Sequence, residues 1–480
     1  MLRLHDTLTG STGDFEPLSP PSVGIYICGP TVYGDSHLGH AKSYVSFDVL
    51  VRFLRHEGYR VRYVQNITDV GHLSDNSETG DDKLQRQARL ERLEPMEIAE
   101  KYTRSYFDDM DRLGNLRPDI SPRASGHIPE QIELVRTLIE KGNAYQAGGN
   151  VYFSVRSFPG YGRLSGRRPD ELVAGTRVDV QADKRDPLDF ALWKEADAGH
   201  ILKWRSPWGW GFPGWHLECS AMAMRYLGDT IDIHGGGLEN VFPHHESEIA
   251  QSEAATGRQF ARFWLHNNMV TVDGQKMGKS LGNARSLKEM FERYDPMTIR
   301  LYILRSHYRS PLDFSDEGLS SAASALGRIR DLASRLGPAG PGDQPPDQAP
   351  PFVGEAVSAF TDRLSDDLDT PGAVAVMFDY VRKCNQALET GVEPGPRAVM
   401  SGGLSLMACG MLGLSAHVQA ASADSEPLLL GLLSEYRTML RGRRMFAEAD
   451  GMRDALAAGG YSVKDLPGGG SLIERISRAL

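Results

Sequence analysis

The stretch "VGIYICGPTVYGDSHLGHAKSYVSFDVLVRFLRHEGYRVRYVQNIT", residues 23–68, decides the fold class. Residues 23–30 are rich in β-branched and aromatic side chains and end in Gly-Pro, which predicts a buried strand. Residues 39–59 place apolar side chains at helical spacing, which predicts a helix. Residues 60–68 return to strand character. Strand, helix and strand in succession form a βαβ unit, so the sequence predicts an α/β protein with a parallel sheet.

A polar segment, "GPTVYGDSHLGH" (29–40), follows the first predicted strand. Parallel sheets bind ligands beyond the carboxyl ends of their strands, which is where this segment lies. His37 and His40 flank Gly39 at the predicted start of the helix, where free N–H groups and the helix dipole suit a phosphate. Imidazoles there can donate to phosphoryl oxygens as charge builds up. The alternative is a pair of exposed or capping histidines.

The middle of the chain predicts an insertion and a second half of the sheet. Residues 85–142 have a helical pattern, whereas residues 143–215 are irregular, aromatic and rich in Gly and Pro. "DTIDIHGGG" (229–237) predicts another strand with a glycine loop, and a helix opened by "PHHE" follows it. A second strand–loop–helix unit therefore mirrors the first.

The last third of the chain is predicted to be mostly helical, and a chain of 480 residues suggests two to four domains. "GPAGPGDQPPDQAPP" (337–351) is a low-complexity connector. "HVQAASADSE" (417–426) is a second linker, which leaves a small C-terminal module.

Composition is that of an ordinary soluble protein, with 40% hydrophobic and 24% charged residues and no apolar run as long as a membrane span. Four cysteines are too few for a disulfide scaffold, so we expect a cytoplasmic protein whose cysteines serve metal binding or reactivity. The net charge of −10 argues mildly against a protein coated with nucleic acid, but a local basic groove remains compatible with it.

The stretch "FPHHESEIAQSE" (242–253) raises the question of a metal site. His244 and Glu248 are four residues apart, so on a helix both side chains project from one face. Two more ligands would be needed for zinc, and Cys28 and Cys219 are the candidates, because both fall where loops at the sheet edge should converge. The alternative is two small buried cysteines beside an ordinary polar helix start.

"DGQKMGKSLGN" (273–283) offers two lysines, Lys276 and Lys279, in a glycine-punctuated segment. It is one residue short of a P-loop and does not follow the first strand. A mobile loop that brings two ammonium groups to a polyphosphate fits better. The alternative is a solvated surface loop.

Four blocks occur together in a fixed order: "CGPTVYGDSHLGH", "GWHLECSAM", "DIHGGGLENVFPHHESEIAQSE" and "DGQKMGKSLGN". They resemble the cysteinyl-tRNA synthetases, a family of class I aminoacyl-tRNA synthetases. "HLGH" is similar to the HIGH signature of that class and "KMGKS" to its KMSKS loop. Segments near both ends also look like the family, so the resemblance covers nearly the whole chain. It implies a Rossmann-like catalytic domain with an inserted connective segment, then a helical bundle and a small C-terminal module.

The resemblance implies one zinc ion per chain. Its ligands, carried over by motif, are Cys28, Cys219, His244 and Glu248. His245 and Glu246 would then point off the ligand face and have either a purely structural role or a place in the layer of residues around the ligands.

The resemblance also implies ATP as a substrate, with Mg²⁺. The catalytic and ATP-binding residues would be His37 and His40 near the reacting phosphate, with Lys276 and Lys279 closing over the other phosphates. Trp215, beside the metal block, would wall the amino-acid pocket; its alternative role is a core aromatic.

The implied partners are ATP, L-cysteine and tRNA(Cys), with no membrane, and we expect a monomer. Five arginines at helical spacing suit contacts to the RNA backbone: Arg437, Arg441, Arg443, Arg444 and Arg453. The expected segments are the two catalytic halves (1–125 and 215–265), the insertion (126–214), the loop region (266–317), the bundle (318–416) and an anticodon-binding module (427–480).

The sequence departs from the family pattern at three places. Gly278 replaces the serine of KMSKS, which removes a hydroxyl and should make the loop more flexible. Residues 70–80 separate Asp69 from an Asp-Asp-Lys that usually follows almost directly, and are expected to form a polar loop or flap. Asn268 stands where the family often has glycine.

Two rival functions remain open at this stage. A relative such as mycothiol ligase activates cysteine but passes it to an amino-sugar; the family-like tail at 434–465 argues against it. A non-catalytic RNA-binding protein with a degenerate synthetase fold would predict lost histidines or lysines, and all four motif residues are present.

Overall fold

The computed structural model describes most of the chain, and the account below concerns those residues: 2–71, 82–168, 170, 183–272, 274–278, 282–283, 285–337, 350–415, 433–434, 437–441, 445–458, 461–465 and 471–475. The chain divides into two compact units, Met1–Ala416 and His417–Leu480. Each unit is described by itself.

A four-stranded parallel sheet forms the centre of the first unit. Its strands are β3 (Ser22–Ile27), β4 (Arg60–Gln65), β10 (Ile231–Gly237) and β11 (Ala261–Asn267). They lie in the order β11-β10-β3-β4. Helix α1 (Leu38–His56) connects β3 to β4. The predicted βαβ unit and parallel α/β sheet are therefore confirmed.

The helix α1 packs so deeply because apolar side chains cover most of its circumference. Thirteen of its residues are buried, among them Val45, Val49 and Phe53, which the sequence pattern placed at helical spacing. They join the largest core cluster, which also contains Ile25 and Ile27 of β3.

The second half of the sheet repeats the strand–loop–helix pattern, as the glycine loop after residue 229 predicted. Strand β10 leads through a π-helical segment, Val241–His245, into the helix Glu246–Thr256, which returns to β11. The carboxyl ends of β3 and β10 lie side by side, with Ile27 paired to Gly235. Residues that follow these two strands therefore meet at one edge of the sheet.

The insertion is more regular than its sequence indicates. Residues 143–215 were expected to be irregular, but they contain a five-stranded antiparallel sheet. Its strands are β5 (Ala144–Ala147), β6 (Asn150–Phe153), β7 (Phe190–Glu195), β8 (Trp204–Ser206) and β9 (Gly209–Pro213). They lie in the order β5-β6-β7-β9-β8. Aliphatic and aromatic side chains together build the core beside this sheet, with Phe153 and Phe190 stacked at 5.0 Å between ring centroids.

Two smaller sheets lie in the same unit. The hairpin of β1 (Arg3–Asp6) and β2 (Ser11–Asp14) is antiparallel. The other sheet, which we call the loop sheet, consists of β12 (Val270–Val272), β13 (Gln275–Lys276) and β14 (Leu312–Phe314). Its strand order is β13-β12-β14.

Helices account for most of the remaining residues, and the last third of the first unit is helical as predicted. Those before residue 305 are α2 (Lys83–Glu91), α3 (Pro95–Arg112), α4 (Ile128–Glu140), α5 (Trp215–Leu227), α6 (Glu246–Thr256), α7 (Leu287–Arg293) and α8 (Pro296–Leu304). The helical bundle consists of α9 (Asp316–Leu336), α10 (Pro351–Ser365), α11 (Thr370–Glu389) and α12 (Pro394–Ser405), followed by a π-helical segment at Leu406–Met411.

The second unit contains the helix α13 (Phe446–Ala458) and a hairpin of β15 (Tyr461–Asp465) and β16 (Ser471–Arg475). Three of the arginines proposed for RNA converge on one carboxylate of this hairpin. Asp465 binds Arg437 and Arg441 at 2.5 Å each and Arg453 at 3.3 Å. Arg437 is fully buried and also donates to a backbone carbonyl, so it holds the unit together. Arg443 and Arg444 lie outside the described residues.

The described helices include none that is both long and apolar enough to cross a membrane.

Candidate active site

The two histidines of "HLGH" begin α1, where the sequence placed them. His37 is the N-cap, and its Nδ1 accepts a hydrogen bond from the Gly39 backbone N–H at 3.1 Å. His40 returns the contact, because its Nδ1 accepts from the His37 backbone N–H at 3.2 Å. The two rings stack with centroids 3.9 Å apart. Both imidazoles thus cap the helix and also face the cavity described below, so the capping and the functional interpretations are compatible.

Cys28 leaves the end of β3 and enters a buried cluster of donor atoms. Its Sγ lies 3.9 Å from Cys219 Sγ and 3.8 Å from Glu248 Oε1. His244 Nε2 lies 3.1 Å from the same Glu248 oxygen. The next residue must be Gly29, since a Cβ there would meet the Asn66 carbonyl oxygen at 1.6 Å. The end of β3 is thus pressed against the end of β4, which fixes the Cys28 backbone.

His245 also belongs to this cluster, contrary to the expectation that it points away. Its Nε2 lies 3.2 Å from Cys28 Sγ and 4.0 Å from Glu248 Oε1. The reason is helical geometry: Glu248 is four residues from His244 but three from His245, and both spacings place side chains side by side. Glu246, in contrast, is not in the cluster, and its Oε2 accepts a hydrogen bond from the Ser165 backbone N–H.

The described residues contain one group of histidine, cysteine and carboxylate side chains suited to a metal: Cys28, His244, His245 and Glu248, whose donor atoms all lie within 4.8 Å of one another. Cys219, which the sequence proposed, is near Cys28 but is not part of that group. The structure therefore brings all four proposed ligands to one place and adds His245 as a fifth donor.

The chemistry of this cluster fits a zinc ion. Two thiols, imidazoles and a carboxylate are the donors that zinc prefers, and the Cys28–Cys219 separation of 3.9 Å matches the edge of about 3.8 Å expected for two sulfurs at 2.3 Å in a tetrahedron. Burial raises the pKa of the Cys28 thiol and of the Glu248 carboxyl well above their usual ranges. A divalent cation among these groups has the opposite effect and favours their ionised forms.

Three further histidines surround the cluster and were not singled out from the sequence. His216 Nδ1 lies 2.9 Å from His244 Nδ1, and His266 Nε2 lies 2.8 Å from His245 Nδ1. His234 Nε2 lies 2.9 Å from Glu248 Oε2. Burial lowers the pKa of His234 and of His266 to about 3, so both rings are neutral. These contacts leave the Nε2 of His244 directed at the cluster, which is how outer histidines orient a metal ligand.

Trp215 begins α5 four residues before Cys219 and stacks on His244, with centroids 4.3 Å apart and planes 19° from parallel. It lines the cavity rather than lying in a core cluster. The sequence pattern at 215–219 therefore places an aromatic wall and a thiol on neighbouring turns of one helix.

The "KMGKS" segment is partly described. Lys276 is exposed at the end of β13, and Met277 is buried close to Gly39 of the "HLGH" motif. Asn283 binds the segment twice: its Oδ1 accepts from the Gly278 backbone N–H at 2.9 Å, and its Nδ2 donates to the Lys276 carbonyl at 3.1 Å. Lys279 lies outside the described residues.

A cavity of about 260 Å³ unites these parts. Of the nine residues proposed from the sequence, seven line or adjoin it within the described chain: Cys28, His37, His40, Trp215, Cys219, His244 and Lys276. Glu248 lies behind them, in contact with Cys28. The cavity thus has a donor cluster at one side and the helix N-terminus with a lysine at the other.

Other polar residues line the cavity that the sequence did not identify, or identified only as a departure from the family pattern. Glu239, Asn240 and Asn267 line the cavity without having been proposed. Asn268, the residue in place of the family's glycine, donates from Nδ2 to the Arg309 carbonyl at 2.9 Å. Its side chain therefore ties the cavity wall to a neighbouring loop. The 70–80 segment falls almost wholly outside the described residues.

Comparison with known proteins agrees with this architecture. Residues 14–324 match the family model "tRNA synthetases class I (C) catalytic domain", and residues 359–416 match the DALR domain. Methionyl-tRNA synthetase from Mycobacterium tuberculosis, solved with methionyl-adenylate, superposes with a TM-score of 0.59 over 82% of this chain and 92% of that one, at 14% identity. The ternary complex of LeuRS, tRNA and LeuAMS from Agrobacterium radiobacter K84 gives 0.57 over 84% and 85%, also at 14% identity. The fold and the catalytic-domain match are those of a class I tRNA synthetase.

Curated relatives narrow the class further. A cysteine–tRNA ligase from Chlorobium luteolum is 55% identical over 467 residues, covering 95% of this chain and 96% of the relative. A cysteine–tRNA ligase from Thermus thermophilus is 50% identical over 97% of both chains. The chain belongs to the cysteine–tRNA ligase family.

Proposed function

We propose that this protein activates L-cysteine with ATP to cysteinyl-adenylate and transfers the cysteinyl group to the 3′ end of tRNA(Cys). One observation carries the proposal: a thiol-, imidazole- and carboxylate-lined cluster and the two "HLGH" histidines face the same cavity of about 260 Å³. A thiol-selecting group and a phosphate-binding helix N-terminus are thus close enough to hold one small amino acid and one nucleotide together.

In the first step the cysteine carboxylate attacks the α-phosphate of ATP, and pyrophosphate leaves. His37 and His40 lie at the positive end of α1, where their N–H groups stabilise the charge on the phosphoryl oxygens. Lys276, with Lys279, neutralises the departing pyrophosphate. The side chains do no covalent chemistry, because positioning and charge stabilisation suffice. ATP enters with Mg²⁺, which the phosphates themselves bind.

Cys28, Cys219, His244 and Glu248 would hold a zinc ion beside the amino-acid pocket. Zinc bound there would supply a soft Lewis acid, which binds a thiolate far better than a hydroxyl or a methyl group. Such selection is needed because a pocket of shape alone separates near-isosteres by only roughly 10²-fold. Trp215, stacked on His244, walls the pocket and limits access of water to the cluster.

His245 is a fifth donor in the cluster, and we assign it to the outer layer because its Nδ1 contacts His266 at 2.8 Å and because, unlike His244, it does not line the cavity. A comparison of two variants tests the assignment. His244→Ala should lose the metal, whereas His245→Ala should keep it with weaker affinity, as read by metal analysis after dialysis. The opposite order would make His245 the ligand.

For the tRNA we propose that the second unit reads the anticodon, with Arg441 and Arg453 facing the RNA backbone around Asp465. We place the activity in the cytoplasm and in a monomer. The domain limits given above are part of the same proposal.

Pyrophosphate exchange with cysteine against serine, followed by charging of tRNA(Cys), tests the function. The expected result is exchange with cysteine alone and stable charging. Exchange without charging would point to a ligase that serves another acceptor, and the absence of both would overturn the proposal.

A further inference from the structure

A buried lysine lies directly behind the "HLGH" motif on α1. Lys42 follows His40 by two residues, and only 1% of it is exposed. Its Nζ donates to the carbonyl oxygen of Met269 at 3.3 Å and to the carbonyl oxygen of Ser310. It does not line the cavity, so it cannot contact a substrate there.

A buried ammonium group is unfavourable in free energy unless hydrogen-bond acceptors compensate its charge. Lysines are seldom fully buried, and an unsatisfied charge in the interior is strongly unfavourable. Burial lowers the pKa of Lys42 to about 8, and the nearby Glu239 carboxylate opposes that shift. The two carbonyl oxygens therefore compensate the ammonium, and in turn they lose their common donor if Lys42 is removed.

The two carbonyls belong to the segments that begin the loop sheet. Met269 immediately precedes β12, and Ser310 lies two residues before β14. Strand β12 pairs with β14 in parallel and with β13 in antiparallel orientation, and Lys276 lies in β13 opposite Thr271. The Lys42 ammonium group thus binds the backbone just before β12 and just before β14. Strand β12 pairs with β13, which contains Lys276, and β14 pairs with β12.

We propose that Lys42 is a positioning residue for adenylate formation: it fixes the loop sheet to α1 and thereby sets the distance from Lys276 to His37 and His40. Lys42 acts through the backbone carbonyls that it binds. Its effect falls on adenylate formation, the step in which the "HLGH" histidines and Lys276 must bind the same triphosphate. The proposal rests on the proposed function, since it concerns the activation step of that reaction.

The proposal separates two steps that share one enzyme. Activation needs the histidines and the loop lysine at once, whereas transfer from a preformed adenylate to tRNA occurs after pyrophosphate has left. A displaced loop sheet should slow the first step and spare the second. Misplacement of about 1 Å is enough to slow a positioned reaction by roughly 10²-fold.

The experiment compares Lys42→Met, which keeps the length of the side chain, with Lys42→Arg, which keeps the charge. In pyrophosphate exchange the Met variant should show kcat lower by roughly ten- to a hundred-fold with KM for cysteine unchanged. Single-turnover transfer from preformed cysteinyl-adenylate should stay within about twofold of the unmodified protein, and the Arg variant should recover most of the exchange rate. Lys141→Met is the matched control, because Lys141 also donates to a backbone carbonyl, that of Ala255, and neither residue lines the cavity.

Two outcomes would overturn the inference. Exchange by Lys42→Met within twofold of the unmodified protein would show that the ammonium does not position the loop. Equal losses in exchange, transfer and bound metal, together with a lower thermal midpoint, would show a role in stability alone. Failure of the unmodified protein to catalyse exchange contradicts the proposed function instead, so the two failures are distinguishable.

Discussion

At the scale of single residues, the position of Cys219 bears most directly on which side chains bind the metal. It is 2% exposed, and its Sγ is 3.9 Å from Cys28 Sγ, although its donor atom is not within 4.8 Å of every other member of the cluster. The Cys28–Cys219 separation is nevertheless that expected for two sulfurs on one zinc ion, so the two cysteines can share an ion.

We predict that Cys219→Ser abolishes tight zinc binding, because a hydroxyl is a poor replacement for a thiolate. Metal analysis of the purified variant should give well below one zinc per chain, against about one for the unmodified protein. Cys384→Ser is the control, since Cys384 is a buried cysteine in the helical bundle. The zinc content of this variant should equal that of the unmodified protein. Full zinc content in Cys219→Ser would remove Cys219 from the ligand set in favour of His245.

Asp109 on α3 gives a prediction about pH. It is 2% exposed, and burial raises its pKa to about 6, with Lys288 acting against the shift and Asp35 adding to it. An aspartate in the unfolded chain has a pKa of about 3.9. Between these values the folded state binds more protons than the unfolded state, so Asp109 lowers stability as pH rises through this range.

Asp109→Asn should therefore be more stable than the unmodified protein at pH 7.5, by about 1 to 2 kcal/mol, and should lose this advantage as pH falls toward 4. Thermal unfolding at pH 5 and pH 7.5 measures the difference. Asp362→Asn removes an exposed carboxylate from α10 and should leave both midpoints unchanged. An advantage that is equal at the two pH values would contradict the assignment.

The sequence allowed part of this residue-level detail to be predicted. His244 and Glu248 were recognisable because a spacing of four is a property of the helix itself. The contact of His245 with Cys28 was not predicted, because the i,i+3 relation of His245 to Glu248 is as close as the i,i+4 relation of His244. The roles of His234, His266 and Lys42 depend on neighbours far away in the chain, and no local pattern reveals such contacts.

At the scale of elements, the signature loop is joined to the "HLGH" motif at its far end. The Leu38 backbone N–H donates to the Arg285 carbonyl at 3.0 Å, and the Leu287 backbone N–H donates to the Ser36 carbonyl at 2.9 Å. The Lys288 ammonium adds an ion pair with Asp35 at 2.8 Å. The segment that follows the signature loop is therefore bound to the residues at the start of α1.

The Asn283 side chain binds the backbone of the signature loop at two points, and its removal should show how much catalysis depends on these contacts. Asn283→Ala loses two hydrogen bonds to the loop backbone, each worth about 1 kcal/mol, so kcat for pyrophosphate exchange should fall by roughly five- to twenty-fold while KM for cysteine stays constant. Asn385→Ala, which removes one contact with Arg335 in the bundle, is the control and should leave exchange unaffected. An unchanged exchange rate in Asn283→Ala would mean that this contact does not order the loop during catalysis.

Elements differed in how well they could be predicted. The β3–α1–β4 unit was evident because each element has a strong period of its own and the connections are short. The insertion sheet was missed because its strands have only three to six residues and are separated by Gly- and Pro-containing turns. Its stability comes from pairing between strands and from aromatic packing, which a local reading of the chain cannot supply.

At the scale of the whole first unit, a buried ionic cluster joins distant segments. Arg300 of α8 is fully buried and pairs with Asp48 of α1, and its Nε donates to the Leu412 carbonyl at 2.6 Å. Arg52 approaches the same carboxylate at 2.7 Å. The cluster therefore ties the helix that carries the "HLGH" motif to the end of the helical bundle.

Arg300→Met should destabilise the first unit by about 3 kcal/mol, the lower end of the range for a broken buried pair, because Arg52 still faces Asp48. The midpoint of thermal unfolding should fall accordingly. Arg382→Ala removes an exposed ion pair with Asp379, one helical turn away. It should change the free energy of unfolding by less than about 0.5 kcal/mol. Equal losses of stability in the two variants would show that the buried Arg300–Asp48 cluster does not hold these segments together.

The order of strands in the central sheet has a consequence for the biosynthesis of the protein. Strand β3 pairs with β4, which follows it closely, but its other edge is covered by β10, which begins only at Ile231. At ordinary elongation rates the ribosome needs on the order of ten to thirty seconds to add the chain between Gln65 and Ile231. During that interval the nascent chain carries an open strand edge, the kind of surface that chaperones cover and that aggregates recruit. A chain released before Asn267 would contain both histidines but lack the part of the cavity wall that begins at Asn267 and includes Lys276.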